Sequence, residues 1–81
     1  MKLIYFSAPW CGPCQQLGPI MEEISQQATV QKVNVDNNPD MATYYNVRNV
    51  PTVVLQVDNT EVGRKVGLNP KQAYTDMYNQ N

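Results

Sequence analysis

Cys11 and Cys14 stand two residues apart, separated by Gly12 and Pro13, and the 81-residue chain has no other cysteine and no histidine. Three chemistries use that spacing: a structural staple, half of a zinc or iron–sulfur site, and a redox-active dithiol. Closing so short a ring restrains the unfolded chain by only about 2 kcal/mol, against about 3 kcal/mol for a fifteen-residue loop, so this is a poor place for a staple. A metal centre wants four ligands, which this chain supplies only if two copies share their pairs. A dithiol that cycles between thiols and disulfide is complete within one chain, and this is the chemistry the pair favours. Trp10, the only tryptophan, directly precedes Cys11.

The flanking residues say what positions the pair. Lys2 to Phe6, KLIYF, is an apolar run with β-branched and aromatic members, which predicts a strand buried on both faces. Beyond Cys11, the apolar positions Cys14, Leu17, Met21, Ile24 and Ala28 recur every three or four residues, the period of one helix face. The cysteines therefore belong at a strand-to-helix junction. Val30 to Asp36 alternates as a second strand, and Asn38-Pro39-Asp40 predicts a short helix with Asn38 as its N-cap. Pro51 to Val57 reads as a third strand, returning through Asp58-Asn59 into a fourth from Thr60 to Val66. Asn69-Pro70-Lys71-Gln72 predicts a capped last helix with the stripe Ala73, Tyr74, Met77 and Tyr78 facing the core. The expected order is β-α-β-α-β-β-α. A right-handed crossover makes the first strand pair parallel and the late hairpin antiparallel, giving one α/β domain over residues 1–81 with a mixed four-stranded sheet and three flanking helices.

Composition excludes other classes. A net charge of −1 with six scattered basic residues gives no electrostatic footprint for nucleic acid. The opening MKLIYFSAPW holds too short an apolar run for a secretory signal or a membrane span, so a reducing, cytoplasmic location and no membrane partner are expected.

The chain resembles the thioredoxin family. WCGPC at Trp10 to Cys14 resembles that family's active-site signature, and VPT at Val50 to Thr52 its substrate loop with a cis proline. KVNVDNNP at Lys32 to Pro39 resembles the second-strand segment, KVG at Lys65 to Gly67 the glycine segment lining the same groove, and Pro19 the proline of the active-site helix. The match runs from about Leu3 to the end, with consistent offsets. The usual opening strand and helix have no counterpart before Leu3, so the resemblance implies a minimal version of the fold.

What it implies is a protein disulfide reductase and electron carrier. Cys11, at the helix N-terminus where free N–H groups and the dipole favour a thiolate, is the expected nucleophile; Cys14, deeper on the apolar face, is the expected resolving cysteine. Gly12 lets a partner approach, and Pro13 stiffens the first turn at little cost. Trp10, Val50, Pro51, Gly67 and Leu68 are the expected substrate surface. No bound cofactor or metal is expected beyond the Cys11–Cys14 disulfide, and electrons are expected from NADPH through a thioredoxin reductase to a monomer that reduces protein disulfides. Two further readings stand beside this one: a glutathione-dependent, glutaredoxin-like reductant, suggested by the short chain, and a binding module of a larger assembly.

Three positions depart from the family pattern. Tyr5 stands where a buried aspartate is usual, Ser7 where a second tryptophan is common, and Gln15 where lysine is frequent. A phenol is a poor base at neutral pH. Cys14 is therefore expected to lose its proton to water or to the departing thiolate, and to resolve mixed disulfides slowly. Lys32, the usual neighbour of that aspartate, is expected to reach solvent or to pair with Asp36.

Overall fold

The computed structural model describes all 81 residues and contains seven elements: β1 (Lys2–Ser7), α1 (Gly12–Ile24), β2 (Val30–Asn34), α2 (Pro39–Tyr44), β3 (Thr52–Val57), β4 (Thr60–Val66) and α3 (Lys71–Asn79). The sheet order is β2-β1-β3-β4, with β1 parallel to β2 and antiparallel to β3, and β4 antiparallel to β3. This is the mixed sheet that the sequence predicts.

β1 is paired along both edges and covered on both faces, which explains its unbroken apolar run. Leu3 and Tyr5 point to one side, where they meet Leu17, Met21 and Ile24 of α1 and Tyr74, Met77 and Tyr78 of α3. Ile4 and Phe6 point to the other, where Val33 and Val54 join them beneath Met41 and Tyr45 of the α2 segment. A side chain of this size moved fully out of water stabilises the fold by about 1.5–3 kcal/mol, so the α1/α3 side, with ten buried residues against four, holds most of the core.

The local signals fail at three helix ends, each for a visible reason. α1 stops at Ile24, and Ala28 packs on the core from a following turn. Asn38 occupies the N-cap position of α2, but its side-chain amide donates to the Asn34 carbonyl at 3.0 Å instead of accepting from the helix. The same Asn34 ends β2 two residues early, because its side-chain oxygen accepts the Asp36 N–H at 2.9 Å and bends the chain into a turn. At α3 the N-cap is Pro70; Asn69 donates to Gly67 across the preceding loop, and Gln72 donates to Asp76 one turn ahead, so no capping box forms. The Asp58-Asn59 hairpin behaves as expected, with φ of 51° and 65°, the left-handed pair that a type I′ turn requires.

Arg64 of β4 ties α2 to the sheet. Its guanidinium donates to both oxygens of Glu61 at 2.6 and 2.7 Å and to the Tyr45 carbonyl at 2.6 Å, where α2 runs out of helical donors. This hydrogen-bonded partner holds the Glu61 carboxyl below its ordinary pKa. Such a group stabilises the fold above its unfolded pKa, and the contribution is lost as pH falls through the lower folded value. Arg64→Met should therefore lower urea-measured stability by about 1 kcal/mol at neutral pH. The difference from the parent chain should shrink on acidification below the ordinary glutamate range.

Candidate active site

β1 ends at Ser7, and after four intervening residues the chain enters α1 at Gly12, so the helix start is held against the end of a strand buried from Leu3 to Ser7. Cys11 is the N-cap of α1, in extended conformation, and its Sγ accepts the Cys14 N–H at 3.2 Å. A sulfur thus occupies the place usually taken by a Ser or Asp oxygen. Pro13 falls in the first turn, where its missing N–H costs no helical hydrogen bond. The two cysteines are joined as a disulfide, with Cα atoms 5.2 Å apart.

The exposure of the pair differs from the expectation of one sulfur outside and one beneath. Cys11 is 5% exposed and Cys14 3%, because Ala8, Val35 and Val50 pack around both. Cys11 is singled out by its surroundings instead. Its Sγ lies 3.6 Å from the Val50 carbonyl oxygen and at the positive end of α1, whereas Cys14 sits inside the helix over the sheet. In the disulfide, Sγ carries no proton, so the approach to Val50 is a contact and not a donated bond.

Val50–Pro51 is cis, the isomer that the resemblance implies. Gly67 follows β4 in the left-handed region at φ 85° and donates its N–H to the Pro51 carbonyl at 2.8 Å, so the segment after β4 is bound to the proline loop. Leu68, the next residue, is an exposed apolar side chain. Trp10 lies 70% exposed beside a cleft of about 470 Å³, lined also by Val35, Ala42, Val47 and Val50. The structure therefore brings Trp10 and Cys11 each to Val50, and Gly67 to Pro51; Leu68 shares the segment without a contact that ties it to the sulfurs.

Two site contacts are invisible in the sequence. The Trp10 indole N–H donates to the Asp36 carboxylate at 3.0 and 3.3 Å, which holds an exposed ring in one orientation. Asp36 is thus occupied, and Lys32, far from pairing with it, faces solvent beside the clefts between α1 and β2. The second is Tyr5. Its hydroxyl donates to the Cys14 carbonyl at 2.8 Å, pinning the first turn of α1 to β1. Burial raises the phenol's pKa, partly offset by the Ser7 hydroxyl and reinforced by Tyr74, so Tyr5 is fixed as a donor and does not serve as a base. The structure holds no cluster of three or more metal-ligating side chains.

The family model for thioredoxin matches residues 1–80. The chain belongs to the thioredoxin family. It is 40% identical to a thioredoxin of Chlamydia pneumoniae over 83 aligned residues, covering 99% of this chain and 81% of the relative. To thioredoxin 1 of Synechococcus elongatus it is 44% identical, over 85% of this chain and 68% of that one. Among solved structures, a mutant thioredoxin of Halobacterium salinarum superposes with a TM-score of 0.93 at 43% identity, covering 98% of this chain and 72% of the other. The thioredoxin pre-protein of Schistosoma mansoni superposes at 0.91, with 32% identity. With the Cys11–Cys14 pair at a helix start, membership makes the chain a thiol–disulfide oxidoreductase that reduces protein disulfides, and the glutathione-dependent and binding-module readings are not favoured.

Asp36→Ala should release the indole. The fluorescence anisotropy of Trp10, the single tryptophan, should fall, while global stability changes by less than about 1 kcal/mol, since the contact lies on the surface.

Proposed function

We propose that Cys11 is the attacking thiolate and Cys14 the resolving thiol, with Trp10, Val50, Pro51, Gly67 and Leu68 forming the surface that receives the substrate. The observation that carries the assignment is the Cys14 N–H to Cys11 Sγ hydrogen bond at the start of α1. A backbone donor and a helix dipole both aimed at one sulfur stabilise it as thiolate, and do so for Cys11 alone. Gly12 leaves room for a partner's backbone over that sulfur, and a cleft beside the exposed Trp10 offers apolar walls of Val35, Val47 and Val50.

The reaction runs in two exchanges. The Cys11 thiolate attacks one sulfur of a protein disulfide and expels the other as a thiolate, leaving a mixed disulfide. Cys14, deprotonated, then attacks Cys11 Sγ; the bond from Cys11 to the substrate breaks, the substrate sulfur leaves with the electron pair and takes up a proton, and the Cys11–Cys14 disulfide remains. Two electrons have passed to the substrate, so a reductant must restore the dithiol. A thioredoxin reductase drawing on NADPH fills that role in this reading, acting on a monomer in the cytoplasm. No helix of the structure is long and apolar enough to cross a membrane.

Cys14→Ser should accumulate the mixed disulfide with a protein substrate, visible as a thiol-sensitive band, while Cys11→Ser should form none. Titration of the wild-type pair in a dithiol buffer, followed by Trp10 fluorescence, should give a potential at or below the cytosolic glutathione poise of about −220 to −260 mV. A potential well above it would contradict the reductase-fed role.

A further inference from the structure

Cys14 cannot attack until it loses a proton, and the structure restricts what can take it. The titratable groups around it are Tyr5 from β1, Lys32 from β2, Cys11 at the start of its own helix, and Tyr74 of α3 behind Tyr5. The loop before β3 contributes Val50, which does not titrate. Tyr5 is committed as a donor to the Cys14 carbonyl, and Lys32 is a cation. Asp36, whose carboxylate accepts the Trp10 indole N–H, is not among the residues lining the cleft at Cys14. In the mixed disulfide Cys11 is itself bonded, so the cleft at Cys14 holds no carboxylate, imidazole or free thiolate to act as a base.

What does reach Cys14 is open space. A cleft of about 260 Å³ between α1 and β2 is bounded by Tyr5, Ser7, Cys14, Gly18, Lys32 and Asn34. It is far larger than one water requires, and the Ser7 hydroxyl, the Asn34 amide and the Lys32 ammonium are the kind of polar partners a water or small anion needs. Gly18 keeps one wall low, since a Cβ built there meets nothing within 4 Å.

We propose that this cleft is an external-base site, in which a small oxyanion seated among Ser7, Asn34 and Lys32 takes the Cys14 proton as the mixed disulfide is resolved. The Cys14 S–H bond gives its proton to that base, the electron pair stays on sulfur, and the thiolate displaces the substrate sulfur from Cys11. Tyr5 is a positioning residue: its bond to the Cys14 carbonyl holds the helix turn over the cleft. Lys32 favours an anionic base over a neutral one.

The inference rests on Cys14 being the resolving cysteine, and one experiment separates the two. Stopped-flow mixing of the fully reduced protein with an aryl disulfide releases coloured thiolate twice, first by Cys11 attack and then by Cys14 resolution. At fixed pH and ionic strength, inorganic phosphate should accelerate the second release at least threefold in proportion to its concentration, and leave the first unchanged. Gly18→Met, which places a helix-favouring residue at an open position, should cut that dependence at least fivefold, and Lys32→Gln should weaken it. A cooperative urea transition verifies that each variant is folded. If phosphate leaves the second release unchanged, or Gly18→Met keeps the full dependence, the external-base site is overturned while the role of Cys14 stands. If Cys14→Ser still gives the second release, both fall.

Discussion

The α-helix that begins on a sulfur is the constraint around which the rest of the structure is arranged. A free helix N-terminus leaves N–H groups without partners, and here one of them points at Cys11 Sγ. That interaction is useful only if the helix start cannot drift. β1 supplies the anchor, since its residues are paired along both edges and buried on both faces up to Ser7. The Tyr5 hydroxyl carries the anchoring across to the helix by holding the Cys14 carbonyl.

The two faces of the sheet divide the work. The α1/α3 side is the larger core and fixes the orientation of the helix that bears the cysteines. The other side is thinner: α2 has no fully buried residue and depends on the Tyr45 ring against Phe6 and on Arg64 for its attachment. This thinner layer borders the Trp10 cleft through Ala42, Val47 and Val50. The surface proposed to receive protein disulfides is thus built on the more lightly held layer, while the helix bearing the sulfurs is built on the heavily packed one.

Tyr5 changes how the buried end of the site handles charge. A carboxylate there would compete for a proton and place a negative charge beneath the helix start; a phenol does neither, and instead contributes a hydrogen bond and apolar area. The consequence is structural gain at the expense of a local base. The cleft over Ser7, Lys32 and Asn34 is where the proposed external base would take its place.

The sequence alone determined the element order, the parallel β1/β2 pair, the antiparallel β3/β4 hairpin with its Asp58-Asn59 turn, and the dithiol, because each rests on local periodicity, backbone preference or a short motif; the antiparallel β1/β3 pairing that closes the sheet was set by tertiary structure. Asn38 holds the predicted N-cap position without the capping bond, and Asn69 is not the cap of α3, because an amide beside a helix start has several partners, and only the folded chain shows that Asn34 and Gly67 are the nearer acceptors. The near-equal burial of the two cysteines, the Trp10–Asp36 bond across 26 residues and the Tyr5–Cys14 bond across 9 were decided by tertiary structure. They join residues on different elements, and their geometry depends on how those elements pack, which no local pattern encodes.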